Sequence, residues 1–290
     1  MEHQTTLASE IVYSGVGLHS GLEVHMRIKP APAGTGVVFE RTDQEGRPRV
    51  CATAKNVAAT MRATTIEEGG ARFFTIEHLM SAISASGLDN CIVELDSEEP
   101  PVADGASLVF LDLIEKAGLK SLDEKRTVIS VDRTIRVDDG DRFIMIVPYD
   151  GLRVSFTSLN PHPLAGTQYT DIIVDLASYQ KEIAPARTIA YEGEVEALRK
   201  AGLGLGGTLE TVIVYNDDRW LNTLRFPNEL VRHKALDVIG DLRLAGVVRG
   251  HVIAVKSAHA LNTALAKKIY ETYTHNSIHK GENQNDPTQH

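Results

Sequence analysis

The sequence predicts an α+β fold of two similar domains, each with helices packed on a mostly antiparallel sheet and with the two helix layers facing each other. Short strand-like runs separated by turns fill the first third of the chain, and amphipathic helical runs follow them. The same order of strands and helices recurs in the second half, with little identity of residues. A repeated order of elements indicates two related units with the same layers.

The first domain is expected over residues 1–123. The run LEVHMRIKP alternates apolar and polar residues with a period of two, which is typical of a strand with one buried face. Thr75 is expected to cap a helix that runs to about Gly87. A strand, CIVELD, a loop and a second helix, LVFLDLIEKAGL, come next. The charged stretch KSLDEKR is expected to separate the halves.

The second domain is expected over residues 124–273. Aligning His78 with His233 brings helix onto helix, strand onto strand and loop onto loop. The polar residues 274–290 show no periodicity and are expected to form a loose tail. The predicted strands are TVISVDRTIRV, RFIMIVPY, LRVSFTSL and HVIAVKS, and the predicted helices are VRHKALDVIGDL and ALNTALAKKIYETY.

A segment without a counterpart in the first half lies at about residues 188–212. Residues 202–207, GLGLGG, match the pattern G-x-G-x-x-G of dinucleotide-binding proteins. A predicted helix precedes these glycines and a predicted strand follows them, which is the reverse of the order that aims a helix N-terminus at a pyrophosphate. The glycines therefore predict a helix stop and a turn rather than a dinucleotide site.

The composition limits the classes of function. The 290 residues are 42% hydrophobic, no window approaches the roughly 18 consecutive apolar residues of a membrane span, and the N-terminus lacks a signal peptide, so a cytoplasmic protein is expected. Only two cysteines are present, so a metal site would depend on His, Asp and Glu. A net charge of -9 without a basic run argues against nucleic acid as a partner.

The stretch VRHKALDVIGDL contains a candidate metal site. At about 100° per residue, Val231, Ala235, Val238 and Leu242 form an apolar stripe. His233 and Asp237 lie four residues apart on the other side, where their side chains converge above the same turn. Such a pair can bind one divalent metal from a single helix. The alternative is a solvated helix face on which the two residues have no role.

A third ligand would be needed, because catalytic zinc usually has three protein ligands and one open position. His78 occupies the equivalent helix of the first half, and Glu77 beside it could act as a general base on water. Alternatively, Glu77 is a first-turn acid favoured by the helix dipole. His259, after a strand end, is the histidine best placed for acid catalysis, and Asp241 could hold its ring in the required tautomer.

Seven motifs occur in order along the chain: YSGVGLHSG, TIEHLMSAI, DGAS, ARTIAY, GLGLGG, RHKALDVIGDL and KSAHALN. Taken together they resemble the bacterial UDP-3-O-acyl-N-acetylglucosamine deacetylases of lipid A synthesis, and the resemblance runs from about residue 4 to residue 272. The resemblance implies two α+β domains and a cytoplasmic zinc hydrolase. Its substrate would be a UDP-sugar with one fatty acyl chain, from which it removes an acetyl group.

The resemblance also implies roles for individual residues. His78, His233 and Asp237 match the zinc ligands, and Glu77 matches the general base. His259 matches a protonated histidine with Asp241 behind it. Zinc would activate water and polarise the acetyl carbonyl, Glu77 would take the proton, and His259 would protonate the leaving amine. A bell-shaped pH profile follows, with the acid limb from Glu77 and the basic limb from His259.

Further matches concern substrate binding. Thr188 matches a threonine near the oxyanion, Lys234 matches a substrate-contacting lysine, and the unrepeated segment resembles the part that forms an apolar passage for the acyl chain. Two positions depart from the family pattern: Ile189 replaces an aromatic residue, and Arg142 replaces a lysine. Both are expected to bear on substrate fit. We expect a monomer that binds no nucleic acid and has no stable membrane insertion.

Two rival functions remain open from the residues. A related zinc amidohydrolase acting on another N-acetyl sugar would share the metal and its sensitivity to chelators, but would not need the acyl chain. A non-catalytic sugar-nucleotide-binding protein would bind the substrate and release no acetate.

Overall fold

The computed structural model describes residues 2–279. The elements of the first half are β1 (His3–Leu7), β2 (Ile11–Val16), β3 (Glu23–Pro30), β4 (Val37–Arg41), β5 (Arg49–Cys51), β6 (Val57–Ala59), β7 (Thr65–Glu68), β8 (Ala71–Phe73), α1 (Glu77–Ser86), β9 (Cys91–Leu95), α2 (Leu108–Ala117) and β10 (Leu119–Lys125). No helix within the described residues is long and apolar enough to cross a membrane.

The second half repeats strands and helices and adds one small unit. Its elements are β11 (Val128–Ser130), β12 (Ile135–Asp139), β13 (Arg142–Val147), β14 (Leu152–Leu159), β15 (Thr167–Ile173), α3 (Leu176–Glu182), β16 (Thr188–Tyr191), α4 (Glu192–Lys200), β17 (Val212–Tyr215), α5 (Glu229–Leu242), β18 (Val247–Val255) and α6 (His259–His279).

The two largest sheets share one topology over five strands each. The first sheet has the order β2-β3-β9-β4-β5, and the second has the order β12-β13-β18-β14-β15. In each, the last strand lies between two hairpins, antiparallel to the first hairpin and parallel to the second. One helix, α1 or α5, precedes that strand, and another, α2 or α6, follows it. The predicted α+β class and the repeated order of elements are confirmed, while the domain boundary stays a prediction.

The sheets follow the alternation seen in the sequence. Successive residues of a strand point to opposite faces, so a period of two buries every second side chain. In β3 the buried residues are Val24, Met26 and Ile28, and in β18 every second residue from Val248 onward is buried. These faces, with the apolar sides of α1 and α5, form one continuous hydrophobic core that spans both halves.

Helices α1 and α5 pack against each other unusually closely. A Cβ atom placed on Gly240 of α5 would lie 2.1 Å from the carbonyl oxygen of Glu77 in α1. The Ser81 hydroxyl donates to the Leu236 carbonyl at 2.9 Å and accepts from the Tyr179 hydroxyl at 2.7 Å. Every residue of α5 except Arg232 and Lys234 is buried. The polar side of α5 is therefore an internal surface, which excludes the solvated-face alternative for His233 and Asp237.

Several local expectations were wrong. Helix α1 begins at Glu77, and Thr75 does not cap it, because Thr75 has a φ of 57° and its buried hydroxyl has no hydrogen-bond partner in the described structure. The charged stretch at the expected boundary forms most of β10, which pairs with β1. The boundary itself stays a prediction.

Two further differences concern continuity. The run TVISVDRTIRV is not one strand, since β11 and β12 are separate and pair with different partners. Helix α6 continues to His279, past the point where we expected the tail to begin. Residues 280–290 of that predicted tail lie outside the described residues.

The unrepeated segment forms a small unit in which β16 and β17 pair in parallel and α4 connects them. The Gly-rich stretch follows α4 and precedes β17, as the sequence predicts. It also makes a close contact: the Leu205 and Gly206 amides donate to the His19 and Leu18 carbonyls, and a Cβ on Gly206 would lie 2.1 Å from the Gly17 carbonyl oxygen. The glycines thus let the unit dock closely on the first half.

We expect Gly240→Ala to destabilise the protein by about 2 kcal/mol or more, because the methyl group would overlap a backbone carbonyl and force α1 and α5 apart. Alanine is favoured over glycine inside a helix by about 1 kcal/mol, so propensity alone predicts the opposite sign. Urea unfolding measures the difference. Gly193→Ala is the matched helical control, since the atoms nearest to its methyl group would all belong to the movable Tyr191 ring rather than to backbone. Equal stability of the two variants would contradict the close contact.

Candidate active site

A cavity of about 670 Å³ lies where α1, α5 and the β16-α4-β17 unit meet. Most of the side chains singled out from the sequence line it. One wall is polar and comes from α1, α5 and the start of α6, while the other is largely apolar and comes from the unrepeated unit. The predicted site residues in the lining are Glu77, His78, Thr188, Ile189, His233, Lys234, Asp237 and His259.

His78, His233 and Asp237 form a compact buried group that could hold a metal ion. One ligand atom from each residue lies within 4.8 Å of the others. The Asp237 Oδ1 atom is 3.4 Å from His233 Nε2 and 3.9 Å from His78 Nε2. Tetrahedral metal bonds of about 2.0–2.2 Å place ligand atoms roughly 3.3–3.6 Å apart, so the Asp237–His233 distance already fits and His78 would need to move closer by a small rotation.

The unused hydrogen-bonding capacity of the group fits a cation. Asp237 Oδ1 is buried and has no hydrogen-bond partner among the described residues. Such an orphaned oxygen is costly unless something else binds it. His233 Nδ1 bonds the Ala186 carbonyl at 3.0 Å, which leaves Nε2 free to face Asp237. A second bond of this kind is typical of metal-binding histidines, because it fixes the ring and its tautomer.

The protonation states of the group also suit a cation. The pKa of His78 is lowered to about 3, mainly by burial and next by the neighbouring His233. Burial lowers the pKa of His233 as well. Burial alone would raise the pKa of Asp237, but His233 and Lys234 hold it well below its usual range. At neutral pH the group therefore has two neutral imidazoles and one carboxylate, which is the form that binds divalent metals.

Glu77 is the first residue of α1 and is buried beside this group. Burial raises the pKa of its carboxyl group to about 7, with His259 acting in the opposite direction. Its Oε2 atom accepts a hydrogen bond from the Thr64 amide at 3.0 Å. A carboxyl group that titrates near neutral pH can both accept and release a proton in one reaction cycle.

His259 faces Glu77 from the other side of the site. Its Nδ1 atom bonds Asp241 Oδ2 at 2.9 Å, and its Nε2 atom lies 3.9 Å from Glu77 Oε1. Burial would lower the pKa of His259, but Asp241, Asp237 and Glu77 together raise it to about 10. The ring is thus a protonated acid at neutral pH, with one N–H held by Asp241 and the other directed towards Glu77.

Thr64 connects Glu77 with His259, and the sequence analysis did not identify it. Its amide holds Glu77, and its hydroxyl donates to Asp241 Oδ1 at 2.5 Å and lies 3.3 Å from His259 Nδ1. Asn262 completes the environment of Asp241 with a bond of 2.9 Å to Oδ2. No motif signals Thr64, because its partner Asp241 is 177 residues away along the chain.

The remaining predicted residues occupy different surroundings. Thr188 and Ile189 begin β16 and line the cavity, and Lys234 Nζ bonds Asp237 Oδ2 at 3.0 Å. Arg142 begins β13, is not among the residues that line the cavity, and forms an ion pair with Asp139. A role for Arg142 in substrate fit stays a prediction.

His19 lines the cavity, and the sequence reasoning assigned it no role. Its loop is held by the fully buried Glu99, whose carboxylate accepts hydrogen bonds from the His19 and Ser20 amides at 2.9–3.1 Å. The Gly204 amide donates to His19 Nδ1 at 3.2 Å, so the ring also contacts the Gly-rich stretch. The YSGVGLHSG motif therefore forms part of the cavity wall.

The combined arrangement is suited to hydrolysis. A cation site can polarise a carbonyl oxygen, and a base and an acid lie 3.9 Å apart beside it. Burial raises the pKa of Glu77, and neighbouring carboxylates raise the pKa of His259, so one group can accept a proton and the other can donate one at neutral pH. The adjoining apolar wall offers room for a hydrophobic part of a substrate.

Comparison with known proteins agrees with this geometry. Residues 4–271 match the family model of UDP-3-O-acyl N-acetylglycosamine deacetylase. The chain is 43% identical to the UDP-3-O-acyl-N-acetylglucosamine deacetylase of Acidithiobacillus ferrooxidans over 93% of this chain and 90% of the relative. Identity is 41% with the enzyme of that name from Geotalea uraniireducens, over 90% and 86% of the two chains. It is 40% with that of Anaeromyxobacter dehalogenans, over 92% and 87%.

The match covers nearly the whole chain and includes the helices, the strand ends and the loop that surround the cavity. Because the identity of about 40% extends over nine-tenths of the length, the similarity belongs to the whole chain and not to one separate region. The resemblance stated from the motifs is therefore confirmed, and the chain belongs to the UDP-3-O-acyl N-acetylglycosamine deacetylase family.

Proposed function

We propose that this protein hydrolyses the acetamide of UDP-3-O-acyl-N-acetylglucosamine to UDP-3-O-acyl-glucosamine and acetate, in a zinc-dependent step of lipid A biosynthesis. The single observation that carries the proposal is a buried His-His-Asp group with an orphaned carboxylate oxygen, next to a base and an acid. Family membership supports the same reaction. We also propose that the protein acts in the cytoplasm as a monomer.

In this proposal His78, His233 and Asp237 hold zinc. When bound, the metal acts as a Lewis acid that polarises the acetyl carbonyl and makes water a competent nucleophile at neutral pH. The residues fit zinc because two imidazoles and one carboxylate form a common catalytic set. Lys234 offsets the negative charge of Asp237 and reaches the cavity, so it can also meet an anionic part of the substrate.

The protein's own residues move the protons. Glu77 accepts a proton from the attacking water as the oxygen adds to the carbonyl carbon. The Thr188 hydroxyl, in the cavity wall, donates a hydrogen bond to the oxyanion, an interaction that strengthens in the transition state. His259 then donates its Nε2 proton to the sugar nitrogen as the carbon–nitrogen bond breaks. Asp241 keeps His259 protonated and oriented.

The acyl chain is assigned to the apolar wall. The β16-α4-β17 unit contributes several hydrophobic side chains to the cavity and buries none of the residues of α4 in the core. Covering this apolar surface would contribute about 25 cal/mol for each Å² removed from water. The side chains concerned are Ile189, Val195, Leu198, Leu203, Leu209, Val212 and Val214.

The first test is acetate release from UDP-3-O-acyl-N-acetylglucosamine. We expect turnover that a zinc chelator abolishes and added zinc restores, and that falls strongly when the 3-O-acyl chain is absent. Equal turnover without the acyl chain would favour a zinc amidohydrolase for another N-acetyl sugar. If folded, zinc-loaded protein binds the substrate but releases no acetate, the protein is a sugar-nucleotide-binding protein and not an enzyme.

Replacing the base separates chemistry from binding. We expect Glu77→Gln to lower kcat by about 10²- to 10⁴-fold, because it removes the proton acceptor but keeps the size of the side chain. Zinc content, measured by atomic absorption, should not change. Glu67→Gln, an exposed position on β7, is the control and should retain full activity. Loss of zinc together with activity would mean that Glu77 acts on the metal site instead.

The pH profile tests the acid. His259 donates only while protonated, so activity is expected to fall as the pH rises through its raised pKa. Asp241→Asn removes the first of the charges that raise this pKa, so the basic limb should move to lower pH by on the order of one unit. Profiles of kcat/KM measure the shift. The exposed pair His25 and Asp96 supplies a control, because Asp96→Asn should leave the profile unchanged. If the basic limb of the Asp241→Asn profile does not move, the assignment of His259 as the acid is wrong.

A further inference from the structure

The ART segment, residues 186–188, is attached at each of its three residues. The Ala186 carbonyl bonds the Nδ1 atom of the metal-site residue His233 at 3.0 Å. The Arg187 amide donates to Glu229 Oε1 at 3.0 Å, and the Thr188 amide donates to the Gly105 carbonyl at 2.9 Å. One short stretch of backbone therefore touches a metal-site residue and also carries the hydroxyl assigned to the oxyanion.

Arg187 and Glu229 form the most buried part of this attachment. Their side chains are 7% and 0% exposed, and Arg187 Nε lies 2.9 Å from Glu229 Oε1. Arg187 Nη2 donates to the Thr223 carbonyl at 2.7 Å and lies 3.3 Å from Glu229 Oε2. A planar guanidinium with several fixed donors sets direction as well as distance, which a lysine cannot reproduce.

Glu229 also belongs to the helix that carries the metal-site residues. It is the first residue of α5, four residues before His233, so the two side chains lie on the same face one turn apart. Glu229 binds Arg187 while His233 binds Ala186. The ART segment is thus held along one face of α5. The same helix therefore fixes the position of the segment's backbone and carries His233 and Asp237.

The DGAS motif holds the other side of the segment. Asp104 forms an ion pair with Arg225 at 2.6 Å, and Arg225 also donates to the Pro185 carbonyl just before the segment. Gly105 has a φ of 80°, and a Cβ there would lie 1.6 Å from the Thr211 carbonyl oxygen. The residues alone assign this motif no role, and these contacts give it one: it supports Thr188 from the first half of the chain.

We propose that Arg187 and Glu229 are positioning residues that hold the Thr188 hydroxyl at a fixed place relative to the metal site. This inference rests on the proposed deacetylase reaction, in which Thr188 binds the oxyanion. The pair acts only through the backbone of the ART segment and touches no substrate. Its removal should therefore weaken catalysis by the same route as removal of the Thr188 hydroxyl.

A double-mutant cycle tests the proposal. Thr188→Ala should lower kcat by about 10²-fold or more, as expected for the loss of an oxyanion donor. Arg187→Lys and Glu229→Gln should each lower kcat by roughly 10- to 100-fold, with KM changed much less. In the Thr188→Ala background each should cost no more than about a further threefold, because the group that it positions is already absent.

A purely structural role gives a different result. It would lower Tm but leave kcat per folded, zinc-loaded molecule unchanged. Arg126→Lys is the matched control, since Arg126 also combines a carboxylate, Asp89, with a carbonyl acceptor, Gly87, at the other end of α1. This control should lower Tm and keep kcat. Zinc content and Tm are measured for every variant, so that only folded and loaded protein is compared.

The proposal is overturned if kcat in Arg187→Lys stays within twofold of the parent. It is also overturned if the fold-loss of kcat in the double variant equals the product of the fold-losses in Arg187→Lys and Thr188→Ala. Arg187→Lys keeps the charge of the buried pair, so the cycle can be completed even if Glu229→Gln does not fold. Acetate release by the parent protein is measured beside each variant. If the parent releases no acetate, the proposed function is wrong. If the parent releases acetate but the losses of kcat in the two substitutions are independent, only the positioning role is wrong.

Discussion

The site depends on the close approach of α1 and α5. Gly240 has no side chain where the Glu77 carbonyl passes, and this lets α1 deliver Glu77 and His78 to the helix that carries His233 and Asp237. Hydrogen bonds from Tyr179 through Ser81 to the Leu236 carbonyl keep the helices at this separation. Since ligand atoms must lie within a few ångströms of one another, a wider packing distance would leave two half sites.

The same burial shifts the ionisable groups in different directions, and neighbouring charges decide the outcome. Burial raises the pKa of Glu77 to about 7 and lowers that of His78 to about 3, so one side chain can exchange protons while the other stays a neutral ligand. His259 is equally enclosed, yet three carboxylates raise its pKa to about 10. One enclosed space thus contains a neutral imidazole, a carboxyl group that titrates near neutral pH and a protonated imidazole, which is the set that the proposed reaction uses.

Much of this arrangement could be predicted from the sequence, because its signals are local. Periodicity predicts the strands and helices, and the spacing of His233 and Asp237 on one helix indicates a metal site. The contacts made by Thr64, Glu229 and Gly105 could not be predicted, because their partners lie far along the chain and no spacing rule relates them. Thr75 is typical of a helix cap by residue type, but the backbone there adopts a φ of 57°.

The shared sheet topology also determines when the site can form during protein synthesis. In each of the two five-strand orders the central strand is the last to be made, and β18 must enter between two hairpins that precede it by about 75 to 110 residues. His259 begins α6, four residues after the end of β18, so it is made after both hairpins and the central strand. Such non-local pairing folds slowly. Glu77 and His78 on α1 therefore have no partner helix until α5 is translated, about 150 residues later.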